Sequence, residues 1–553
     1  MNIHSRWKLL FAALLVICLF QTASAALHAP SGKVVHYELY VTDGYVNTAA
    51  GVFPAVGDNT LIAGWPKPLY VWGFTDIDPN IPANLMTVPA GALAPKGGRV
   101  GNAKFPAPFI EAAEGDDIYI TVHNRGFYQA RQAVQDDHSL HLHGIHAQAQ
   151  YDGFPESAGN FSEQMRYFWN ETWYLGLGTT TKARDAAWNA LPVGNAATAG
   201  TQQWYLAQNA PLMKTNNLNP AGGITSQFNL APYPLGVGAP LPAGVTRESA
   251  TQFTYYFRAE HPGTYMYHCH VAAAEHVQMG MYGALIIRPR TGGTGAVIFN
   301  QIYGDNALSA ANAPTQSDVF TAGKEYTFLL SEIDPNWHAI IEQGKRKAFY
   351  PPNWKPELWF VNGRTFPETI FNFAWNAPAG ATNLADYRDP RYNTYINIQS
   401  GDIFLIRYIN MGYQEHPMHQ HGWHFKVMGT DARPLTNSYQ KYTILIGSGE
   451  TYDVLVTADP TYGVTDPQGP RLGTDPGPGL LLNPVTPGAT NFRQIFPIHD
   501  HDDYRVTTNG IYPGGALVLM EATGIPGTDP ATPTWADPYV APPGIQTVPP
   551  PPA

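Results

Sequence analysis

The chain has 553 residues, of which 14% are charged, and it contains 53 glycines and 49 prolines with a formal net charge of -11. This length is too great for a single hydrophobic core and suits two or three domains. The acidic balance argues against partners such as nucleic acid or an anionic membrane surface, and neither is expected.

The first 25 residues have the pattern of a secretory signal peptide. Arg6 and Lys8 precede an apolar run over 9–20, and small residues at 23–25 supply a cleavage signature, so we expect cleavage after Ala25. The apolar run is too short to span a bilayer. The mature protein is therefore predicted to be secreted or periplasmic.

Cleavage would leave Cys269 as the one cysteine of the mature chain, because the other, Cys18, lies in the leader. An intrachain disulfide is then impossible. A lone thiol in an oxidising compartment needs protection. Burial would provide it, and so would a bound metal.

Short β-rich runs separated by Gly, Pro, Asn and Asp predict an all-β protein made of sandwiches. The predicted strands include 34–41, 118–122, 254–257, 284–287, 326–330, 403–409 and 452–456.

Two segments repeat one pattern. Residues 115–126 and 401–412 each contain a Gly-Asp turn, a strand and an Asn-x-Gly exit, and a histidine cluster follows each. This duplication predicts two related domains that meet near residue 300. The predicted organisation is a signal peptide at 1–25, a first domain at 26–300 with an insertion at about 154–250, a second domain at 301–523 and a Pro-rich tail at 524–553.

Four histidine clusters follow in chain order. Their shared feature is a His-x-His pair, and the pairs are His141 with His143, His268 with His270, His419 with His421, and His499 with His501. On a strand, each pair points to one face. A lone histidine is more often structural than a ligand, but eight imidazoles on two duplicated strand sets are enough to hold three copper ions.

Cys269 lies between His268 and His270 and should point to the opposite face. Together with His138, His276 and Met281 it supplies two imidazoles, a thiolate and a thioether, which is the ligand set of a blue copper site. Copper there would keep the thiol deprotonated and protected. The peptide links from Cys269 to its two neighbours would give electrons a short covalent route to the imidazole pairs.

These motifs, in this order, resemble the multicopper oxidase (laccase-like) family. The resemblance extends to residues 105–110, 151–155, 360–363 and 449–453, and it covers most of the mature chain except the insertion and the tail. It implies two cupredoxin-like Greek-key sandwiches and four copper ions per chain. By resemblance, His141 and His419 would hold a type 2 copper, and a type 3 pair would be held by His143, His268, His270, His421, His499 and His501.

One departure concerns the position of the blue site. The His-Cys-His segment lies in the last domain of the common three-domain members, whereas here Cys269 belongs to the first domain. The second domain has Asp500 in its place, with Thr507 and Tyr512 where His276 and Met281 would align. This pattern resembles the two-domain oxidases related to copper nitrite reductases. It implies a homotrimer with the cluster between subunits.

Several residues have competing interpretations. Asp152 aligns with an acidic residue that helps to deliver protons in the family, but an aspartate before glycine is also typical of a turn. His416 is interpreted as a remnant or a hydrogen-bonding residue. The remaining histidines of the clusters and turns are expected to be packing or structural residues, and these are His146, His261, His338 and His424.

The predicted function is the oxidation of a small reducing substrate, with O2 as the electron acceptor reduced to water. The reductant is expected to dock near an exposed edge of His276, and phenols are the default substrate, although metal ions also fit. Phe168, Trp169, Trp173 and Tyr174 of the insertion are candidate substrate contacts or a packed satellite of the core. The alternatives are a copper nitrite reductase and a non-enzymatic copper-binding or electron-transfer protein.

Overall fold

A computed structural model describes residues 33–46, 68–79, 85–87, 99–124, 127, 138–147, 152–153, 252–290, 302–303, 320–321, 323–345, 351–366, 368–370, 390–399, 401–458, 493–508 and 510–523. The predicted leader, the insertion with its aromatic candidates, and the tail lie outside these residues. Within them, no helix is long and apolar enough to cross a membrane.

The first sandwich consists of two four-stranded sheets and a small two-stranded one. Its strands are β1 Val34–Val46, β2 Leu69–Thr75, β3 Met86–Thr87, β4 Arg99–Val100, β5 Ile110–Ala113, β6 Asp117–Asn124, β7 His141–His143, β8 Gln252–Arg258, β9 Gly263–His268 and β10 Tyr282–Arg288. The sheet orders are β2-β1-β6-β8 and β5-β10-β9-β7, with β3 paired to β4. A four-residue helix, α1 Ala273–His276, lies between β9 and β10.

The second sandwich follows, with sheets of six and five strands. Its strands are β11 Glu325–Ile333, β12 Leu358–Val361, β13 Ile396–Gln399, β14 Ile403–Asn410, β15 His416–Gln420, β16 Phe425–Thr430, β17 Arg433–Lys441, β18 Thr443–Ile446, β19 Thr451–Thr457, β20 Arg493–Asp500 and β21 Leu517–Thr523. The orders are β12-β11-β14-β19-β16-β17 and β13-β21-β20-β15-β18. Helix α2 Pro335–Glu342 follows β11, and short 3-10 turns cover Pro351–Asn353, Glu368–Ile370, Pro390–Tyr392 and Asp503–Val506.

The two sandwiches share one topology. Strand β1 runs parallel to β6, as β11 does to β14, and β10 runs parallel to β5, as β21 does to β13. The second sandwich adds β16, β17 and β18 at its sheet edges. The prediction of an all-β protein with cupredoxin-like sandwiches is confirmed, and each of the predicted strands lies within a strand of the structure.

Strand β14 shows why these segments form buried strands. Phe404, Ile406 and Tyr408 alternate along it and enter the core of the second sandwich. Leu405 and Ile409 face the other way, yet they are also buried, because the outer face packs on further apolar clusters. A strand covered on both faces therefore has a nearly continuous apolar sequence rather than an alternating one.

Apolar and polar contacts join the two sandwiches. One apolar cluster includes Met266 of the first sandwich and Phe360 and Ile409 of the second. Beside it, the buried carboxylate of Asp453 accepts hydrogen bonds from Thr264 and, at 3.2 Å, from the guanidinium of Arg407. These contacts lie between the second sandwich and β9, the strand that leads into Cys269. The exact domain boundaries stay a prediction.

Candidate metal centre

The thiol of Cys269 lies in the core of the first sandwich, directly after β9. Its Sγ is 3.1 Å from Nδ1 of His276 and 3.8 Å from Nδ1 of His138, and all three side chains are fully buried. Their donor atoms lie within 4.8 Å of one another. The structure therefore brings together the thiolate and both imidazoles of the predicted blue copper site.

Main-chain hydrogen bonds place Met281 beside these ligands. Its carbonyl oxygen accepts from Cys269 N at 3.0 Å, and its own N–H donates to the carbonyl of His276 at 3.0 Å. Its side chain is fully buried in the same apolar cluster as Cys269. This position suits a weak axial thioether ligand.

Ser139 is a residue of this site that the sequence did not reveal. Its N–H donates to Cys269 Sγ at 3.4 Å, and its hydroxyl accepts from His270 N at 3.1 Å. Ser139 thus orients both the sulfur and the adjacent histidine. In the sequence, only the position of Ser139 next to His138 pointed to such a role.

A first set of four imidazoles lies on the sheet edge formed by β7 and the end of β9. His141 pairs in register with His268. Ring contacts at centroid distances of 5.2 to 6.1 Å join His141, His143, His268 and His270. Cys269 points into the core on the other side, as strand alternation predicts.

A second set repeats this arrangement on β15 and β20. His419 pairs in register with His499, which is the counterpart of the pairing between His141 and His268. Ring contacts at 4.8 to 5.7 Å join His419, His421, His499 and His501. The Nε2 atoms of His421 and His499 are 3.2 Å apart, which suits two ligands of one ion.

Hydrogen bonds to Nδ1 select the tautomer of several rings. The Nδ1 atoms of His141, His268 and His499 face the carbonyl oxygens of Asp152, Cys269 and Asp500 at 2.6, 3.0 and 2.8 Å. Because a carbonyl oxygen only accepts, each Nδ1 must carry the proton, and Nε2 keeps its lone pair. This arrangement is typical of metal-binding histidines.

The pKa values of these histidines also favour ligation. Burial, reinforced by neighbouring imidazoles, lowers the pKa of His268 to about 3 and that of His419 to about 4. Burial likewise lowers the pKa values of His141, His143 and His421. These rings are therefore neutral near pH 7, as metal ligands must be.

Asp152 contacts His141 in two ways. Its carbonyl accepts from the ring, and its carboxylate Oδ1 lies 3.5 Å from the same Nδ1. The turn depends on Gly153, whose φ is +79° and where a Cβ would lie 2.2 Å from the carbonyl oxygen of Leu140. A conformation that only glycine tolerates thus brings Asp152 to the imidazole set.

The expectation of an exposed edge on His276 is wrong. The ring is fully buried, with the edge of Trp72 at 5.5 Å and His138 at 4.8 Å between ring centroids. The second sandwich covers the segment around it. Tyr413 donates to the carbonyl of Ala274 on α1, and the ring of Trp354 packs against that of Tyr413 at a tilt of 49°, with 5.4 Å between the centroids.

A polar network fastens the residues that follow α1. Trp354 Nε1 donates to Gln278 Oε1, and the Gln278 amide nitrogen lies 3.4 Å from Nε2 of His338. Nδ1 and Nε2 of His338 face the carbonyl oxygens of Tyr70 and Gln278 at 2.5 and 2.9 Å, and burial lowers the pKa of the ring to about 4. His338 is thus structural, as predicted, and it holds the segment that connects His276 to Met281.

His416 forms hydrogen bonds to two carboxylates, in agreement with a hydrogen-bonding role. Its Nδ1 is 2.8 Å from Asp500 Oδ2 and its Nε2 is 3.0 Å from Glu332 Oε2. Burial opposes protonation of the ring, but the hydrogen bonds and charges of these carboxylates outweigh it and raise its pKa to about 9. No motif in the sequence indicated Glu332, because it lies within a strand that reads like any other buried strand.

A third group of possible ligands lies on the surface. The donor atoms of His146, Glu260 and His261 are within 4.8 Å of one another. However, the guanidinium of Arg433 lies 3.0 Å from Nε2 of His146, and this permanent positive charge opposes a cation there. The ring of His424 packs against that of Tyr442 with 3.8 Å between the centroids, as expected for a packing residue.

The donor sets fit copper. A buried cysteine sulfur with two Nδ1 atoms facing it and a neighbouring thioether suits a soft, redox-active ion, and neutral imidazoles with free Nε2 lone pairs suit both oxidation states of copper. Hard ions such as magnesium and calcium prefer oxygen ligands, which these sets do not offer.

Solved structures with similar overall arrangements include three copper proteins. A blue copper oxidase from Nitrosomonas europaea is 19% identical, with a TM-score of 0.44 over 89% of this chain and 86% of that one. The multicopper oxidase mgLAC is 19% identical, with a TM-score of 0.43 over 92% and 89%. A copper nitrite reductase from Nitrosomonas europaea is 14% identical, with a TM-score of 0.40 over 92% and 100%.

Comparison with curated protein sequences found no match. Two family models, both described as multicopper oxidase, match the chain. One covers residues 91–167, which include the first histidine cluster, and the other covers 239–291 and 365–464, which include the His-Cys-His segment and the third cluster. These segments carry the buried thiolate site and six of the paired histidines described above. Over these segments the chain matches the multicopper oxidase family.

Proposed function

We propose that the protein oxidises a small reductant in one-electron steps and reduces O2 to water with four copper ions per chain. His138, Cys269, His276 and Met281 would hold a type 1 ion. His141 and His419 would hold a type 2 ion, and the remaining six paired histidines would hold a type 3 pair. Copper supplies the one-electron redox chemistry when it is bound.

One observation carries this proposal. The buried sulfur of Cys269 lies between His138 and His276, while the two residues bonded to Cys269 in the chain, His268 and His270, belong to the four-imidazole set on the opposite face. An electron-transfer site and an imidazole cluster are therefore joined by single peptide links. A simple electron carrier would not need the cluster.

The protein residues have separate tasks in this proposal. The apolar core around Cys269 excludes water from the sulfur, and the N–H of Ser139 stabilises negative charge on it. Main-chain carbonyls hold the proton on Nδ1 of His141, His268 and His499, so that each Nε2 keeps the lone pair that would bind copper. The carboxylate of Asp152, next to His141, would hold and release protons for the reduction of oxygen.

Because His276 is buried, we propose that the reductant docks over α1 rather than on the imidazole. Tyr413 is 38% exposed and its hydroxyl bonds to the main chain of α1, while the tilted ring of Trp354 packs against it. A flat aromatic reductant such as a phenol could stack on the exposed ring of Tyr413. A phenol-oxidising, laccase-type activity is the preferred substrate assignment.

We also propose that the protein acts as a homotrimer after export through the predicted leader. The imidazole rings form two sets of four within the chain, and His421 and His501 of the second set are exposed. A neighbouring subunit could therefore bring its own first set to them. Light scattering of the mature protein tests this assembly.

Oxygen uptake by the copper-loaded protein tests the function. We expect consumption of one O2 for every four electrons donated by a phenol, without accumulation of peroxide, and a panel that includes cuprous, ferrous and manganous ions defines the substrate. Reduction of nitrite without oxygen uptake would instead identify a nitrite reductase. Absence of both activities in protein that still shows the blue colour would indicate an electron carrier.

A further inference from the structure

A buried group of three charged side chains lies in the second sandwich, between its two sheets. His416 is at the start of β15, Glu332 is near the end of β11, and Asp500 is the last residue of β20. The ring of His416 bridges the two carboxylates at 2.8 and 3.0 Å, and none of the three side chains is exposed. We call these residues the ion triad.

The hydrogen bonds of the triad match an imidazolium between two carboxylates. Both ring nitrogens of His416 face carboxylate oxygens, and main-chain N–H groups donate to the other oxygen of each carboxylate. A second cation is near, because Nη1 of Arg505 lies 3.5 Å from Asp500 Oδ2. Two buried carboxylates therefore face two cations, which is the condition under which buried charges are tolerated.

The triad occupies the place that the thiolate site occupies in the first sandwich. Asp500 lies between His499 and His501 as Cys269 lies between His268 and His270. His416 precedes His419 by three residues, as His138 precedes His141. Tyr512, which aligns with Met281, is 71% exposed and so takes no part in this site.

Asp500 also contacts the metal-binding strand directly. Its carbonyl oxygen accepts from Nδ1 of His499 at 2.8 Å, and its Oδ1 accepts from Asp502 N at 2.9 Å on the other side of His501. A rotation of the Asp500 backbone would therefore turn His499 and displace the turn that carries His501. The side chain that prevents this rotation is the one bonded to His416.

The other end of the triad reaches the segment around His276. The carboxylate of Glu332 accepts from Gln414 N at 3.0 Å and from Tyr413 N, and its carbonyl oxygen accepts from the Gln278 amide at 3.4 Å. Glu332 therefore ties the triad to the same residues that cover α1.

We propose that Glu332, His416 and Asp500 form a metal-free ionic anchor, which replaces the ligand–metal bonds of a mononuclear site and positions His499 and His501 to bind copper. They are positioning residues, because they act through those two histidines. This inference rests on the proposed function, in which His499 and His501 are copper ligands.

Asp500→Asn tests the anchor, because it removes one charge and keeps the shape. The matched control is Asp453→Asn, which removes an equally buried carboxylate of the second sandwich that pairs with Arg407 instead. Both variants are prepared as copper-loaded full-length protein. Copper affinity is measured by competition with a chelator, and the copper environments are followed by electron paramagnetic resonance and by blue absorption.

We expect Asp500→Asn to weaken the copper bound by the second-sandwich histidines by about tenfold or more, which is typical when a partner of a metal ligand is removed. The blue absorption of the Cys269 site should persist, and Asp453→Asn should keep both signals. Unchanged affinity and resonance in Asp500→Asn would overturn the anchor, and so would an equal loss in Asp453→Asn.

Two further variants separate a failure of the anchor from a failure to fold and from a failure of the proposed function. If Asp500→Asn fails to fold, Glu332→Gln at the far end of the triad should give the same selective loss, and a normal copper affinity there would refute the anchor. In the parent protein, His501→Ala should lower copper content. If it does not, the proposed function fails at this site independently of the triad.

Discussion

Sγ of Cys269 lies 3.1 Å from Nδ1 of His276, and neither side chain is exposed to solvent. The thiol of the one cysteine in the described ranges is therefore enclosed with two imidazoles rather than packed among apolar groups alone. The carbonyl of Met281 and the N–H of Ser139 complete this enclosure. A cysteine sulfur enclosed in this way is suited to a metal and inaccessible to oxidants in solution.

Replacement of Cys269 by serine should abolish the blue absorption and the turnover of reductant. The copper bound by the paired histidines should remain, because their hydrogen bonds do not involve the sulfur. Visible absorption, copper analysis and oxygen uptake measure these three properties. Retained turnover in this variant would refute the proposed electron route through Cys269.

Replacement of Asp152 by asparagine should slow turnover roughly 100-fold, which is typical when a proton-transfer group is removed. Copper content should not change, because the main-chain carbonyl of Asp152, and not its carboxylate, makes the shorter contact with His141. Steady-state rates and copper analysis separate the two effects. Full activity would show that Asp152 is only a turn residue.

The strand pattern and the His-x-His spacing were sufficient to predict the all-β fold and the histidines of each set. Strand alternation explains this success, since it places His268 and His270 on one face and Cys269 on the other. The burial of His276 was not predictable, because it depends on Tyr413 and Trp354, which are distant in sequence and carry no motif. Glu332 escaped prediction for the same reason.

The ion triad predicts a specific dependence of stability on pH. The pKa of His416 in the folded protein, about 9, is above the ordinary value of 6.5, so the contribution of this ring to the free energy of unfolding is complete below about pH 6.5 and is lost as the pH rises through about 9. The expected decrease in the free energy of unfolding is on the order of 3 kcal/mol. Denaturant unfolding of the parent and of His416→Gln between pH 6 and pH 10 measures it. Parallel pH profiles for the two proteins would contradict the prediction.

Replacement of Tyr413 by leucine should raise KM for aromatic reductants and leave the blue absorption intact. The reason is that Tyr413 offers an exposed ring over α1 but makes no direct contact with the buried ligands of the thiolate site. Tyr439→Leu, which changes a 44% exposed tyrosine on β17, serves as the control. Equal KM values for the parent and Tyr413→Leu would place the docking surface elsewhere.

The copper content of the purified, copper-replete protein tests the central claim most directly. Elemental analysis together with protein concentration should give four copper ions per chain, one of which is lost in Cys269→Ser along with the blue colour. A content of two per chain, as in a nitrite reductase, or of one, as in a carrier, would contradict the assignment of both imidazole sets to an oxygen-reducing cluster.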